Sequence, residues 1–166
     1  MARLVILGNG GYSQTLQDVA EQLGYEILAV LDDKLPNHEL STFSTYISSD
    51  VEFIPAFGNN EFRLSWIDKL QSAGAKLATL IHPTAYISPR ASIAPGVVIL
   101  PHSIINTNTT INRGCILNVG SIVDHDVILE EGVHLAPGAI VKGENRIKSC
   151  TKVESGEVIA ARQWPV

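Results

Sequence analysis

The stretch Ile111-Asn112-Arg113-Gly114-Cys115-Ile116-Leu117-Asn118-Val119-Gly120-Ser121-Ile122-Val123-Asp124-His125-Asp126-Val127-Ile128-Leu129 places a branched aliphatic residue at every sixth position. Followed in both directions, the frame gives Ile81, Ile87, Ile93, Ile99, Ile105, Ile111, Leu117, Val123, Leu129, Leu135, Val141, Ile147, Val153 and Ile159 without a miss. If Ile, Leu and Val made up a quarter of residues, chance agreement would be on the order of one in 10⁸. Four places after each of the first ten stands a small or β-branched residue, from Ala85 through Cys115 and Ser121 to Ala139. Glycine recurs one place earlier, at 96, 114, 120, 132, 138 and 156, where a turn needs positive φ. Period six is a solenoid period. Each hexad supplies a short strand and a corner, and three corners close a triangular coil. Eighteen residues on, the chain lies about 4.8 Å above itself, one strand spacing away. A β-sandwich would show period two instead. The hexads predict a little under five coils with the aliphatics stacked inward and Cys115 in the core.

Ahead of Ile81 the pattern is α/β. Leu4–Leu7 is an apolar run ending in Gly8-Asn9-Gly10-Gly11, a buried strand followed by a turn. Leu16, Val19, Ala20 and Leu23 form a helical stripe that Gly24 stops. Ile27–Leu31 is a second strand closed by Asp32-Asp33, residues 34–50 are a polar, irregular excursion, and Val51–Phe57 is a third strand ending at Gly58-Asn59-Asn60. Asn60 is the expected N-cap of a helix carrying Trp66, Ile67 and Leu70, and Lys76–Ile81 the expected fourth strand. This order implies a small, Rossmann-like parallel sheet covered by helices. Two domains are therefore expected, 1–80 and 81–166.

Composition narrows the function. The 166 residues are 17% charged and 45% apolar with a net charge of −5, enough to bury a core and lacking the basic surplus of a nucleic-acid binder. No apolar run approaches the roughly 20 residues of a membrane span. Cys115 and Cys150 show neither CxxC spacing nor a disulfide framework. These features suit a soluble cytoplasmic protein.

Five stretches carry a family resemblance: Leu7-Gly8-Asn9-Gly10-Gly11, Leu31-Asp32-Asp33, Phe57 to Arg63, Leu80-Ile81-His82-Pro83, and Leu117 to Asp126. On them, nearly the whole chain resembles the bacterial sugar acyltransferases grouped with sialic acid O-acetyltransferases, especially the UDP-amino-sugar N-acetyltransferases of bacillosamine synthesis. The resemblance implies a nucleotide-binding N-terminal domain, a left-handed β-helix, a homotrimer with active sites between subunits, and acetyl-CoA as acyl donor, without a metal. It implies that His125 is the catalytic base, that Asp126 is its acidic partner, and that His134 helps hold acetyl-CoA. It also implies a UDP-sugar in the N-terminal crevice, with Gly58 and Asn59 as the far wall.

The residues themselves add chemistry. Acetyl transfer from a thioester needs a base for the acceptor's proton, an oxyanion donor and a groove for both substrates. His125 sits at a corner, where its side chain can leave the core, between Asp124 and Asp126. One coil later comes Gly143, stacked beside it, where a bare backbone admits the thioester and offers an N–H. His134 lies half a coil round, so a single chain does not unite it with His125. The turn Gly8 to Ser13, with Gly10, Gly11 and Tyr12, exposes helix N-terminal amides to a phosphate, and Asp32 and Asp33 stand where a ribose or uracil would be bound.

Two departures from the family pattern matter. Gly11-Tyr12-Ser13 replaces a usual Gly-His-Gly in the loop that contacts the sugar nucleotide. The repeat is expected to stop at Ile159, with Asn145 and Glu157 already breaking the small-residue position, which shortens the shelf for CoA. The alternative reading is therefore a non-catalytic trimeric sugar-nucleotide-binding or scaffold protein. A γ-type carbonic anhydrase would need zinc histidines about five residues apart rather than nine, and an NAD(P) oxidoreductase a larger sheet.

Overall fold

The computed structural model describes residues 2–165 and divides into two compact units, the first reaching to Leu80 and the second beginning at Ile81. The first contains β1 (Arg3–Leu7), α1 (Gly11–Gln22), β2 (Glu26–Leu31), β3 (Val51–Pro55), α2 (Asn60–Ser72) and β4 (Lys76–Leu77). The strands form one parallel sheet in the order β2-β1-β3-β4. Leu4–Leu7 are fully buried, which is why β1 reads as an unbroken apolar run. Ser13 is buried as well, a small residue on the sheet-facing side of α1.

Three local expectations need correction. The cap of α2 is Asn59, whose side chain accepts from Phe62 N at 2.8 Å. Asn60 is the first helical residue, and its Oδ1 accepts from Arg63 Nη2 at 2.8 Å. The polar excursion contains a 3-10 helix, Leu40–Tyr46, anchored by buried Leu40. The strand expected over 76–81 is two strands: β4 ends at Leu77, while Leu80–Ile81 joins the solenoid sheet. Apolar periodicity cannot see this break, because the same run serves two sheets.

The second unit is a left-handed parallel β-helix. Its hand is opposite to the usual crossover rule. Its two-residue strands stack in three faces. The first face runs through Leu80–Ile81, Val98–Ile99, Ile116–Leu117, His134–Leu135 and Lys152–Val153, the second from Tyr86–Ile87 to Val158–Ile159, and the third from Ser92–Ile93 to Arg146–Ile147. Partners lie one coil apart, as in Ile116↔His134 and Ile122↔Ile140. The second residue of each strand points inward; Ile99, Ile105, Ile111, Leu117, Val123, Leu129, Leu135 and Val141 have no exposed surface. Cys115 belongs to the same core. Polar residues at inward corner positions are hydrogen-bonded, as burial demands: Ser103 Oγ donates to Asn118 O at 2.9 Å and Thr109 Oγ1 to Asp124 O at 2.7 Å.

The coil does not stop at Ile159. Arg146 N donates to Trp164 O at 2.7 Å, so Trp164 takes the next place on the third face. Asn145, fully buried, secures this turn: its Nδ2 donates to Lys142 O and Ala160 O, each at 2.8 Å, and its Oδ1 accepts from Trp164 N at 2.8 Å. The residue that breaks the small-residue pattern is a buried clamp for the last coil.

Candidate active site

The corner between the second and third faces places His125 with its side chain 47% exposed, open to a substrate. Its Nδ1 lies 2.8 Å from Asp126 Oδ2. The same hydrogen bond, with help from Asn108, holds the Asp126 carboxyl below the ordinary carboxylate range. The carboxylate is therefore ionised at neutral pH and Nδ1 must be the donor, which leaves Nε2 as the basic nitrogen of the neutral ring. The bond to Asp126, followed by the charge of Asp124, raises the His125 pKa above its ordinary value.

The coils on either side build this geometry. On one side, Asn106 Nδ2 donates to Asp124 Oδ1 and Asn108 Nδ2 to Asp126 Oδ1, both at 3.1 Å, while Asp126 N donates to Thr107 O at 3.1 Å. Asp124 Oδ1 also accepts from His125 N at 2.8 Å. On the other side, Glu144 N donates to His125 O at 3.1 Å. Gly143 adjoins the Cε1–Nε2 side of the imidazole, and a Cβ there would stand 2.8 Å from both atoms. Coil arithmetic thus finds the His125–Gly143 neighbourhood. It also had the means to find Asn108 and Glu144, one coil to either side of Asp126, which the sequence reading passes over.

Asn108, Asp126, Glu144 and Arg162 form one column, and Arg162 makes a bidentate pair with Glu144 at 2.7 and 2.8 Å. With Thr110, Ile128 and Pro165 this column lines a cleft of about 330 Å³ beside His125. His134 opens a strand of the first face, across the prism from this corner, so the chain does not bring it to His125. Among the described residues no group of three His, Cys, Asp or Glu is arranged to hold a metal, and no helix is long and apolar enough to cross a membrane.

In the first unit the loops after β1, β2 and β3 meet at the carboxyl ends of their strands, where β1 lies between β2 and β3. Ligands of open α/β sheets bind at such a switch point. Gly8, at φ +106°, closes on the third loop; a Cβ there would lie 3.0 Å from the Phe57 ring. At Gly10, Gly11 and Gly58 a Cβ would meet nothing within 4 Å. These backbones border open space, and α1 starts behind the N-cap Gly10 without a side-chain cap. Burial pushes the Tyr12 hydroxyl pKa up, with the Arg63 charge opposing. That hydroxyl is buried without a hydrogen-bond partner. The acids have local work: Asp32 accepts from Asn9 N at 2.8 Å and Lys34 N at 3.0 Å, and Asp33 from Leu40 N at 2.9 Å. Asn59, in capping α2, is likewise engaged.

Comparison with known proteins adds the following. Residues 3–70 match the family model of the PglD N-terminal domain. The acetyltransferase domain of PglB from Neisseria gonorrhoeae FA1090 is 29% identical, with a TM-score of 0.89 over 98% of this chain and 84% of that one. The same domain in complex with acetyl coenzyme A is also 29% identical, with a TM-score of 0.88 over 96% and 82%. PerB from Caulobacter crescentus, solved with CoA and GDP-perosamine, shares the fold at 24% identity, with a TM-score of 0.86 over 97% and 90%.

Proposed function

Taking the chain as a hexapeptide-repeat acyltransferase of the sugar-modifying kind, we propose that it transfers an acetyl group from acetyl-CoA to the amine of a UDP-linked amino sugar. His125 is the general base. The observation that carries this reading is the oriented imidazole: Nδ1 is committed to Asp126 while Nε2 faces the side-chain-free backbone of Gly143.

The amine nitrogen attacks the thioester carbonyl and Nε2 takes its proton. The C–S bond then breaks, and the departing CoA thiolate recovers the proton from the imidazolium. No covalent enzyme intermediate is required, and the Gly143 N–H is the proposed oxyanion donor. Asp124, Asp126 and Glu144 give the corner negative charge, which attracts an acceptor that arrives as an ammonium and sheds its extra proton to solvent before the neutral amine attacks. The uncapped start of α1 and the buried Tyr12 hydroxyl support a polar phosphate-bearing ligand in the N-terminal crevice. Gly10, Gly11, Tyr12, Gly58 and Asn59 border it, and Asp32 and Asp33 shape its loops rather than remaining wholly available to the nucleotide.

A homotrimer completes the reading. Tyr86, Ile104, Ile122, Ile140 and Val158 stand one coil apart as the outward residues of the second face, with Tyr86 54% and Val158 49% exposed. Packing that stripe against another copy would bring a partner subunit beside His125 and supply the opposing His134. The setting is the cytoplasm, where acetyl-CoA and sugar nucleotides are available. The test is a thermal-shift titration with acetyl-CoA and, separately, with UDP and GDP. At one hundred times Kd a ligand stabilises by about 2.7 kcal/mol. Stabilisation by acetyl-CoA and by UDP supports the proposal. Stabilisation by a nucleotide alone would favour a non-catalytic binding protein.

A further inference from the structure

Three columns of turn residues run up the solenoid, and the structure holds their members at positive φ. Two columns rely mainly on glycine: Gly96, Gly114 and Gly132 in one, Gly120, Gly138 and Gly156 in the other. The third is Asn108, Asp126, Glu144 and Arg162, at φ 58, 56, 60 and 56°. Side chains at such positions strain the backbone, least so for Asn and Asp, and glycine would relieve it. Their presence in four successive coils of this corner points to work done by the side chains. Asp126 shows the arrangement: Oδ2 meets His125 Nδ1 at 2.8 Å, and Oδ1 receives Asn108 Nδ2 at 3.1 Å.

We propose that Asn108 is a positioning residue for His125. By gripping Oδ1, it fixes the rotation of the Asp126 carboxylate, keeps Oδ2 on Nδ1, and so determines that Nε2 faces Gly143. The proposal rests on the reading of His125 as the base. Without Asn108 the carboxylate has only the exposed imidazole to orient it, and either oxygen can turn to solvent. Asn106 does not substitute, because its amide is directed to Asp124. The charged groups facing His125 are Asp124 and Asp126 on its own coil and Glu144 on the next, the last paired with Arg162.

The test reads His125 directly, by NMR of ring-labelled histidine in the full chain, with His125→Ala identifying its resonance. In Asn108→Ala the His125 titration midpoint should fall by a few tenths to about one pH unit, and its ring nitrogens should report mixed tautomers. In Asn108→Asp, which keeps the shape and tolerates the turn, a second carboxylate against Asp126 should raise the midpoint. Opposite shifts at similar melting temperatures are not what a purely structural residue produces. An unchanged midpoint and tautomer in either folded variant would overturn the proposal. Should Asn108→Ala not fold, the ring tautomer in Asn108→Asp decides alone, since a new carboxylate shifts the midpoint by charge whatever Asn108 positions. If His125→Ala proves fully active while these shifts occur, the positioning stands and the catalytic role of His125 falls.

Discussion

Adding one methyl group at Gly143 tests the corner geometry. In Gly143→Ala the new Cβ would lie 2.8 Å from both Cε1 and Nε2 of His125 and 3.2 Å from its carbonyl oxygen. Comfortable contacts are about 3.5–4.0 Å, so the ring must retreat by roughly 0.7 Å or more. Half-exposed, it can swing outward, but that draws Nδ1 from Asp126 Oδ2. Misplacing a reacting group by about 1 Å costs on the order of 10²-fold in rate. The stability cost should stay within about 1 kcal/mol, because the closest obstruction is a movable side chain at the surface and the backbone oxygen at 3.2 Å need give only a few tenths of an ångström. The assay is CoA thiol release from acetyl-CoA with a UDP-linked amino sugar, beside a melting curve. We expect kcat/KM to fall about 100-fold with little change in melting temperature. A double-mutant cycle with His125→Ala separates the causes: if Gly143 acts through the ring, the second substitution adds little. Activity of Gly143→Ala within twofold of the parent would refute the argument.

Other consequences follow from the same contacts. Only the neutral imidazole is a base, and Asp126 and Asp124 raise its pKa, so kcat/KM should climb with pH through a midpoint above the ordinary value near 6.5; a midpoint below 6 would contradict the pairing. Ile104→Asp puts a charge in the apolar stripe of the second face and should turn a trimer into monomers by analytical ultracentrifugation, whereas an unchanged mass would exclude that face as the interface. Asn145→Ala abandons three hydrogen bonds around the last coil and should cost roughly 2–4 kcal/mol, read as a melting temperature lower by about 10 °C; a melting temperature unchanged within error would mean the clamp carries no stability.

The solenoid was legible because one inward aliphatic per hexad is a hard packing demand that few substitutions satisfy. The His125–Gly143 contact followed, since a fixed coil length turns sequence distance into spatial adjacency. The same arithmetic reaches Asn106, Asn108 and Glu144, but exposed polar residues at turns look like ordinary loop chemistry. The end of the fourth strand is hidden in the sequence because an apolar run carries no mark of which sheet it joins. The cap of α2 slipped by one residue between two adjacent asparagines, each chemically able to do the job. The last coil escapes the repeat because Trp164 and Pro165 depart from the aliphatic pattern, and a buried asparagine holds it instead. Asp32 and Asp33 were legible as loop-end acids, yet their hydrogen bonds to nearby backbone amides depend on loop conformation that no spacing reveals.

Acetyl transfer with His125 as base can be read on the product itself. The protein is incubated with acetyl-CoA and UDP-linked or GDP-linked amino sugars, and the sugar nucleotide is followed by mass spectrometry, for the parent chain and for His125→Ala. The UDP-linked sugar should gain one acetyl group with the parent chain, and the rate should fall by 10²–10⁴-fold in the variant, roughly the span of general-base catalysis. An acetylated product formed equally fast by His125→Ala, or no product from either sugar nucleotide, would contradict it.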